Sequence, residues 1–98
     1  MSDIRFEWDE KKHSVNKRKH GVSFTEGQTA FADENGLLID DPDHSDDEER
    51  FILLGLSSSL RLLVVSHTYR EDDATIRIIS ARKATHSEQE QYWKRRQP

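Results

Sequence analysis

The chain has no cysteine, only two prolines and no long apolar run. Without cysteine it can form no disulfide, thiolate metal site or cysteine nucleophile. Spanning a bilayer takes roughly 18 consecutive apolar residues, and no stretch of this sequence approaches that length. The first residues, MSDIRFEWDE, lack the basic start and the apolar core of a secretory signal. We therefore expect a cytoplasmic protein that does not enter a membrane.

Charge is abundant but unevenly distributed along the 98 residues. The net charge is -4, yet residues 33–49 hold nine acidic residues and no lysine or arginine. Of the 19 acidic residues, ten lie elsewhere, against 15 basic residues, which gives the remainder a balance of +5. Such segregation permits a polyanionic partner, although a run of charge is also typical of a solvated loop.

The length and the strand-like segments predict one small domain. A chain of 98 residues can build a single modest core but not two. Residues 4–8 alternate between apolar and polar side chains, which is typical of a short half-buried strand. Four further strands are expected at about residues 37–40, 50–56, 61–70 and 75–81. We expect a single domain that covers residues 1–98.

Three helices are expected from their capping residues. They run from Asp9 to about His20, from Ser23 to about Phe31, and from Thr85 or Ser87 to about Arg96. Side chains such as Asp9 and Ser23 accept the free N–H groups of a first turn, and Gly21 readily ends a helix. The element order is then βααββββα. The short turns favour an α+β fold, with an antiparallel sheet of four to five strands and helices packed against one face.

The expected strand register places cationic side chains together. A turn of two or four residues near residues 57–60 puts Arg50 opposite His67. A three-residue turn at residues 71–73 also pairs His67 with Arg77, whereas a four-residue turn moves Arg77 to the other face. Under the favoured register one face carries Arg50, Arg61, His67, Tyr69 and Arg77.

These side chains have the chemistry needed to cut RNA. Guanidinium groups hold phosphate oxygens, and histidine exchanges protons near neutral pH. RNA supplies its own nucleophile, the 2′-hydroxyl, so cleavage needs a base, an acid and cations around the phosphate. The alternative is structural: Arg50 and Arg77 pair with carboxylates across the sheet, and His67 is an ordinary strand residue.

Five segments resemble the BrnT family of toxins from type II toxin–antitoxin modules. In order they are FEWDEKK (6–12), KHGVSF (19–24), PDHSDDEERFILLG (42–55), RLLVVSHT (61–68) and RIISARKAT (77–85). Together they extend over nearly the full length, from Phe6 to about Tyr92. The resemblance implies a compact RelE-like fold and a metal-independent ribonuclease that cleaves RNA and inhibits translation.

By position, the motifs of the resemblance fall on Arg61, His67, Arg77, Arg82, Lys83, Glu49 and Arg50. Tyr69 is added from the expected strand register, and Lys19 as a cation that could contact the RNA backbone. The expected catalytic residues are His67, Arg61, Arg77 and Arg82. The expected RNA-binding residues are Arg50, Tyr69, Lys83 and Lys19. The alternative for Lys19 is a purely structural position at the end of a helix. Among these residues we expect His67 to be the proton shuttle, because the unperturbed pKa of histidine lies close to neutral pH.

The resemblance implies a BrnA-type antitoxin as the neutralising partner, RNA as the substrate, and contact with operator DNA only through the antitoxin. No cofactor is expected. No metal site is expected either, since DDPDHSDD (40–47) lacks the glycine and the closing glutamate of a calcium loop.

The alternative function is a non-catalytic module, either a degenerate toxin retained for antitoxin binding or an RNA-binding domain. A DNA-binding regulator acting alone is disfavoured, because no basic recognition helix is evident.

Overall fold

The computed structural model describes residues 4–41, 49–70 and 74–96. In chain order its elements are β1 (Arg5–Glu7), α1 (Glu10–His20), α2 (Phe24–Thr29), a 3-10 helix (Ala30–Ala32), β2 (Leu37–Asp40), β3 (Phe51–Leu56), β4 (Leu62–Tyr69), β5 (Thr75–Lys83) and α3 (His86–Arg96). This order confirms the predicted βααββββα arrangement. The acidic residues 42–48 and the predicted turn at residues 71–73 lie outside the described residues. No helix in the described part of the chain is long and apolar enough to cross a membrane.

Helix α1 begins and ends, and helix α3 begins, where their capping chemistry predicts. The Asp9 side chain accepts two backbone N–H groups of the first turn of α1, at 2.8 and 3.1 Å, which would otherwise lack partners. Gly21 ends α1 with a φ of 71°, a conformation that costs glycine little. Thr85, rather than Ser87, caps α3, because its hydroxyl accepts the N–H of Glu88 at 3.2 Å.

The five strands form one mixed sheet in the order β1-β5-β4-β3-β2. Neighbouring strands from β2 to β5 pair antiparallel, whereas β1 pairs with β5 in parallel. The predicted five-stranded α+β sheet is confirmed, with the correction that it is mixed instead of wholly antiparallel. Because β1 and β5 are the first and last strands, no turn fixes their relative direction. Long-range packing fixes it instead: Phe6 of β1 joins the core beside Phe31, at a ring-centroid distance of 5.2 Å.

The helices cover both faces of the sheet, which corrects the expectation of a single covered face. Helices α1 and α2 lie on the face with the larger core, whose buried members are Val22, Phe24, Ala30, Leu53, Leu63, Val65, Ile78 and Ala81. Helix α3 lies on the opposite face, where Tyr92 packs with Leu54 and Val64. Consecutive strand residues point to opposite faces, so Leu53 and Leu54 belong to different cores. We call the two surfaces the α1–α2 face and the α3 face.

A three-residue turn between β3 and β4 shifts the register by one residue from the expected one. A hydrogen bond of 2.8 Å from the Ser57 N–H to the Arg61 carbonyl closes this turn. As a result His67 lies opposite Phe51, not opposite Arg50. A slip of one residue changes which side chains share a face, so the predicted cationic face does not form.

The register between β4 and β5 separates Arg77 from His67. Arg77 lies opposite Thr68, and His67 lies opposite Ile78. A hydrogen bond of 2.9 Å from the Arg70 N–H to the Thr75 carbonyl precedes these pairs. This register places Arg77 on the α3 face, as the second of the two expected registers does.

Candidate functional site

The predicted site residues divide between the two faces of the sheet. Strand alternation, with the register shift between Ser66 and His67 that skips Ile79, places Arg61, His67, Tyr69 and Lys83 on the α1–α2 face. The α3 face carries Arg77, Arg82 and, just before β3, Arg50. The predicted grouping on one face is therefore wrong, because the strands pair in a different register. Each group has to be judged by its own surroundings.

His67 is enclosed by aromatic rings on the α1–α2 face. Its relative exposure is 0%, and its ring centroid lies 4.7 Å from that of Phe31 and 5.5 Å from that of Tyr69. Nδ1 lies 3.0 Å from the Val65 carbonyl oxygen, and since a carbonyl only accepts, this contact requires a proton on Nδ1. Burial lowers the pKa of His67, and the hydrogen bond to Val65 opposes this shift. The ring is thus neutral at neutral pH and closed to a substrate in this conformation.

Hydrogen bonds from Arg61 link α2 to the β3–β4 turn. Its Nε donates to Oε2 of Glu26 at 2.9 Å, and its Nη2 donates to Oε1 of Glu26 and to the Gly21 carbonyl, the latter at 3.2 Å. The Ser57 hydroxyl donates to the same carboxylate at 2.7 Å. The hydrogen bonds from Arg61 hold the pKa of Glu26 below its usual value, against the effect of burial. Both carboxylate oxygens of Glu26 therefore already accept hydrogen bonds from within the protein.

Arg82 anchors α3 to the end of β5. Its Nη1 and Nη2 donate to the two carboxylate oxygens of Glu88 at 2.8 and 2.9 Å, the bidentate geometry that arginine favours. Glu88 also accepts the Thr85 N–H at 2.8 Å. The hydrogen bonds from Arg82 are the main reason that the pKa of Glu88 falls to about 2. Much of the donor capacity of Arg82 is therefore used within the protein.

Arg77 is held differently, by a single contact on the α3 face. Its Nη1 donates to Oε2 of Glu7 at 2.8 Å, and the Nε of Arg70 lies 3.5 Å from the same oxygen. Among the described residues nothing hydrogen-bonds to Oε1 of Glu7, and Arg77 makes no second side-chain hydrogen bond. The side chains are 33% exposed for Arg77 and 38% exposed for Glu7. This pair thus presents a carboxylate oxygen and cationic donors that the described fold leaves available.

Two serines lie between Arg77 and Arg82 on the α3 face. Ser66 and Ser80 are cross-strand partners and are half-buried. Each hydroxyl both donates and accepts hydrogen bonds. We call Glu7, Arg77, Ser66 and Ser80 together the polar strip. Its side chains can hold phosphate oxygens and accept a proton on the same surface.

The predicted RNA-binding residues lie apart from the polar strip or at its margin. Lys83 is exposed at the end of β5 on the α1–α2 face, and Lys19 is exposed near the end of α1. Tyr69 is 37% exposed, and partial burial raises the pKa of its phenol. Arg50 is half-buried next to β3. The structure does not bring these four residues together.

Within residues 4–41, 49–70 and 74–96, no three His, Asp or Glu side chains are grouped so as to hold a metal ion. Two of the histidines instead have single carboxylate neighbours. His13 lies 3.3 Å from Glu10, and His86 lies 2.9 Å from Glu90.

Sequence reasoning missed Glu7 as a site residue. Glu7 belongs to a three-residue strand whose partner is the last strand of the chain. The alternation of residues 4–8 indicates which face Glu7 shares with its neighbours, but not that it meets Arg77. The partners of Arg61 and Arg82 were also missed, since Glu26 and Glu88 show only helix-cap spacing in the sequence.

Comparison with known proteins identifies the family that has this fold. A family model described as "Ribonuclease toxin, BrnT, of type II toxin-antitoxin system" matches residues 8–88. The 1.1 Å crystal structure of the ribonuclease toxin BrnT from Brucella abortus has the same fold, with a TM-score of 0.60 and 23% sequence identity, over 88% of this chain and 100% of that chain. A search of curated proteins gives no match. Because the family model covers most of its length, the chain belongs to the BrnT family of ribonuclease toxins of type II toxin–antitoxin systems.

Proposed function

We propose that the chain is a toxin that cleaves RNA without a metal ion, and that the polar strip is its catalytic surface. Membership of a family of ribonuclease toxins supports the activity. The Arg77–Glu7 pair supports the location, because a single 2.8 Å contact joins two side chains that are each about one-third exposed. Arg61 and Arg82 are paired through two nitrogens each, so they have less capacity left for a substrate.

In this proposal Glu7 is the general base. Its Oε1 removes the proton of a ribose 2′-hydroxyl, and the 2′ oxygen attacks the adjacent phosphorus. The bond from phosphorus to the 5′ oxygen of the next nucleotide then breaks, and that oxygen takes a proton from solvent. The products carry a 2′,3′-cyclic phosphate and a 5′-hydroxyl. A carboxylate within hydrogen-bonding distance of the hydroxyl is suited to this step.

Arg77 stabilises the negative charge that develops on the phosphate oxygens during the attack. A guanidinium presents planar donors that match phosphate geometry. The contact with Glu7 fixes the position of Arg77 before RNA binds, so little reorganisation is needed at the moment of reaction. Donors aimed at a developing charge in this way contribute about 2.7–4 kcal/mol each. Ser66 and Ser80 add weaker, neutral hydrogen bonds.

His67 has a structural part in this proposal, not the proton-shuttle part expected from the sequence. It lies on the opposite face from Arg77 and is covered by Phe31. Its lowered pKa keeps it neutral, which suits a buried ring packed among other rings. A direct role in proton transfer would require the ring to leave this pocket.

We further propose that RNA cleavage in the cytoplasm arrests translation, and that a BrnA-type antitoxin neutralises the toxin by covering the polar strip. A segment laid over this strip blocks phosphate binding without distorting the fold. Operator DNA is then contacted only through the antitoxin. Membership of a type II toxin–antitoxin family supports the existence of such a partner.

A non-catalytic, antitoxin-binding module is the competing function. Two of the arginines expected to be catalytic, Arg61 and Arg82, are held by glutamates in the folded chain, and His67 is buried. A degenerate toxin would tolerate these arrangements. A non-catalytic module does not need the exposed Arg77–Glu7 pair, so we favour the catalytic function.

The decisive experiment is RNA cleavage by the purified protein in EDTA. We expect cleavage to continue and the products to end in a 2′,3′-cyclic phosphate or its 3′-phosphate hydrolysis product. Arg77→Gln protein purified in parallel controls for contaminating nucleases. An inactive wild-type protein favours the non-catalytic module, and activity that EDTA abolishes and magnesium restores rejects the metal-independent mechanism.

A further inference from the structure

A groove runs between α1 and the edge of β5, beyond the end of β1. Strand β1 covers only residues 75–77 of β5, so the rest of this edge has no strand partner in the described chain. Asn16 replaces the missing strand at one point: its side-chain amide donates to the Ala81 carbonyl at 2.8 Å and accepts the Ala81 N–H at 3.2 Å. Around Asn16 the groove is lined by Lys11, Lys12, Val15, Lys19, His20 and Ile79.

The lysines of this groove differ from the sheet arginines because no described carboxylate forms an ion pair with them, although the charge of Lys12 does act on Asp9. Within the described residues, Lys11, Lys12 and Lys19 form no ion pair. The three arginines discussed above each contact a glutamate. Three cations that converge on a concave surface outnumber this one nearby carboxylate and produce a positive potential that attracts anions. The groove is therefore suited to a polyanion.

The groove is continuous with the polar strip. Ser80 belongs to the strip and also lines the groove. Along an extended strand, Ser80 is roughly 10 Å from Arg77 and roughly 7 Å from Arg82. A chain bound at Arg77 can therefore turn over the β5 edge and enter the groove within a short distance.

Apolar surface lies between the lysines. Val15 is 57% exposed, and Ile79 is half-buried at the free edge of β5. Proteins that hold single strands combine cations along the backbone with apolar or aromatic contacts to sugars and bases. An acidic protein segment would satisfy the same lysines. A substrate strand that crosses the polar strip continues directly into the groove, because Ser80 borders both.

We infer that this groove binds the sugar–phosphate backbone of single-stranded RNA that flanks the scissile bond, an inference that rests on the proposed function for the identity of its ligand. The lysines hold phosphates, and Val15 and Ile79 contact sugars or bases. The groove thus makes long RNA a better substrate than short RNA.

Binding is tested with a fluorescent 2′-O-methyl RNA of about 12 nucleotides, which cannot be cleaved. The variant Lys11→Gln/Lys12→Gln/Lys19→Gln removes three charges from the groove. Its control, Lys17→Gln/Arg18→Gln/Lys94→Gln, removes three exposed charges that do not line the groove. We expect anisotropy titrations to show at least tenfold weaker binding for the groove variant. The slope of log affinity against log salt should be smaller by about 2, since each lost phosphate contact contributes about 0.7.

Cleavage separates this inference from the proposed function. For long RNA the groove variant should have a raised KM and a nearly unchanged kcat, while a dinucleotide should be cut equally well by both triple variants and the wild type. If the groove and control variants bind and cut long RNA alike, the inference is wrong even though the enzyme is real. If nothing is cut but the groove variant still loses RNA binding, the groove stands and the catalytic proposal falls. Loss of binding to an acidic peptide without loss of RNA binding overturns the inference.

Discussion

Two arginine–glutamate pairs on opposite faces of this sheet differ in how much of their hydrogen-bonding capacity the fold uses. In the Arg61–Glu26 pair both carboxylate oxygens are occupied, and the Glu26 side chain is 14% exposed. In the Arg77–Glu7 pair one oxygen carries the contacts with arginine, and the Glu7 side chain is 38% exposed. The first pair ties α2 to a turn, and the second lies on an open surface.

The comparison shows that residue type alone does not distinguish a structural arginine from a catalytic one. A bidentate pair whose carboxylate oxygens are both hydrogen-bonded fixes two segments relative to each other. It has few hydrogen-bond donors and acceptors left for a substrate. A pair with one contact keeps both charges in place and leaves donors and an acceptor for another molecule. The predictions below test this distinction, from the largest expected effect to the smallest.

Glu7→Gln should have the largest effect on cleavage. Glutamine has nearly the same shape but cannot take the 2′-hydroxyl proton, so the rate constant should fall by about 10²–10⁴. Single-turnover cleavage of a labelled RNA measures this change. Glu26→Gln is the matched control on the other pair, and it should alter thermal stability but not the rate per folded molecule. Equal rate losses in the two variants would remove the distinction between the pairs.

Acid should weaken the third pair, Arg82–Glu88. The pKa of Glu88 is about 2 in the folded protein, below its value in an unfolded chain, so the pair stabilises the fold above about pH 4.5 and loses this contribution as the pH falls toward 2. The expected loss is of the order of 2 kcal/mol. Urea unfolding between pH 5 and pH 2 measures it. Glu88→Gln should show a weaker pH dependence than the wild type, and an identical dependence would contradict the account.

His67 should affect stability at a higher pH. Its pKa is lowered in the folded protein, so below about pH 6.5 the unfolded chain binds a proton that the folded chain resists. The free energy of unfolding should therefore fall between pH 6.5 and pH 5, by at most about 2 kcal/mol. His67→Gln should remove this dependence and leave cleavage per folded molecule within about threefold. Loss of cleavage in well-folded His67→Gln protein would instead indicate that His67 is the proton shuttle.

Arg61→Gln should have the smallest effect. It leaves the half-buried carboxylate of Glu26 with fewer donors and should cost about 1 kcal/mol of stability. The rate of cleavage per folded molecule should not change. Thermal denaturation and single-turnover cleavage of the same preparation check both statements, and a large rate loss at unchanged stability would place Arg61 in the catalytic machinery.

The local chemistry of the sequence predicts the elements of this fold well. Asp9, Gly21 and Thr85 act through backbone groups that lie within a few residues of them, so their roles can be inferred without knowing the fold. The alternation of residues 4–8 also indicates β1, because a pleated strand has a fixed period of two.

The site could not be predicted in the same way, since it depends on turn length. The turn before β4 has three residues, one more or one fewer than the alternatives considered, and this difference alone moves His67 from Arg50 to Phe51. The meeting of Glu7 and Arg77 depends on a parallel pairing between the two ends of the chain. No local pattern encodes a contact of that sequence separation.

The central claim is that Arg77, on the α3 face, is a catalytic residue, whereas Arg61 is structural. The most direct test is the single-turnover rate of RNA cleavage in EDTA by Arg77→Gln, measured beside Arg61→Gln under conditions where both are folded. The account predicts that Arg77→Gln loses about 10²–10³ in rate and that Arg77→Lys recovers little of it, because lysine cannot reproduce the planar grip. An Arg77→Gln rate within about threefold of the wild type, with Arg61→Gln strongly impaired, would contradict it.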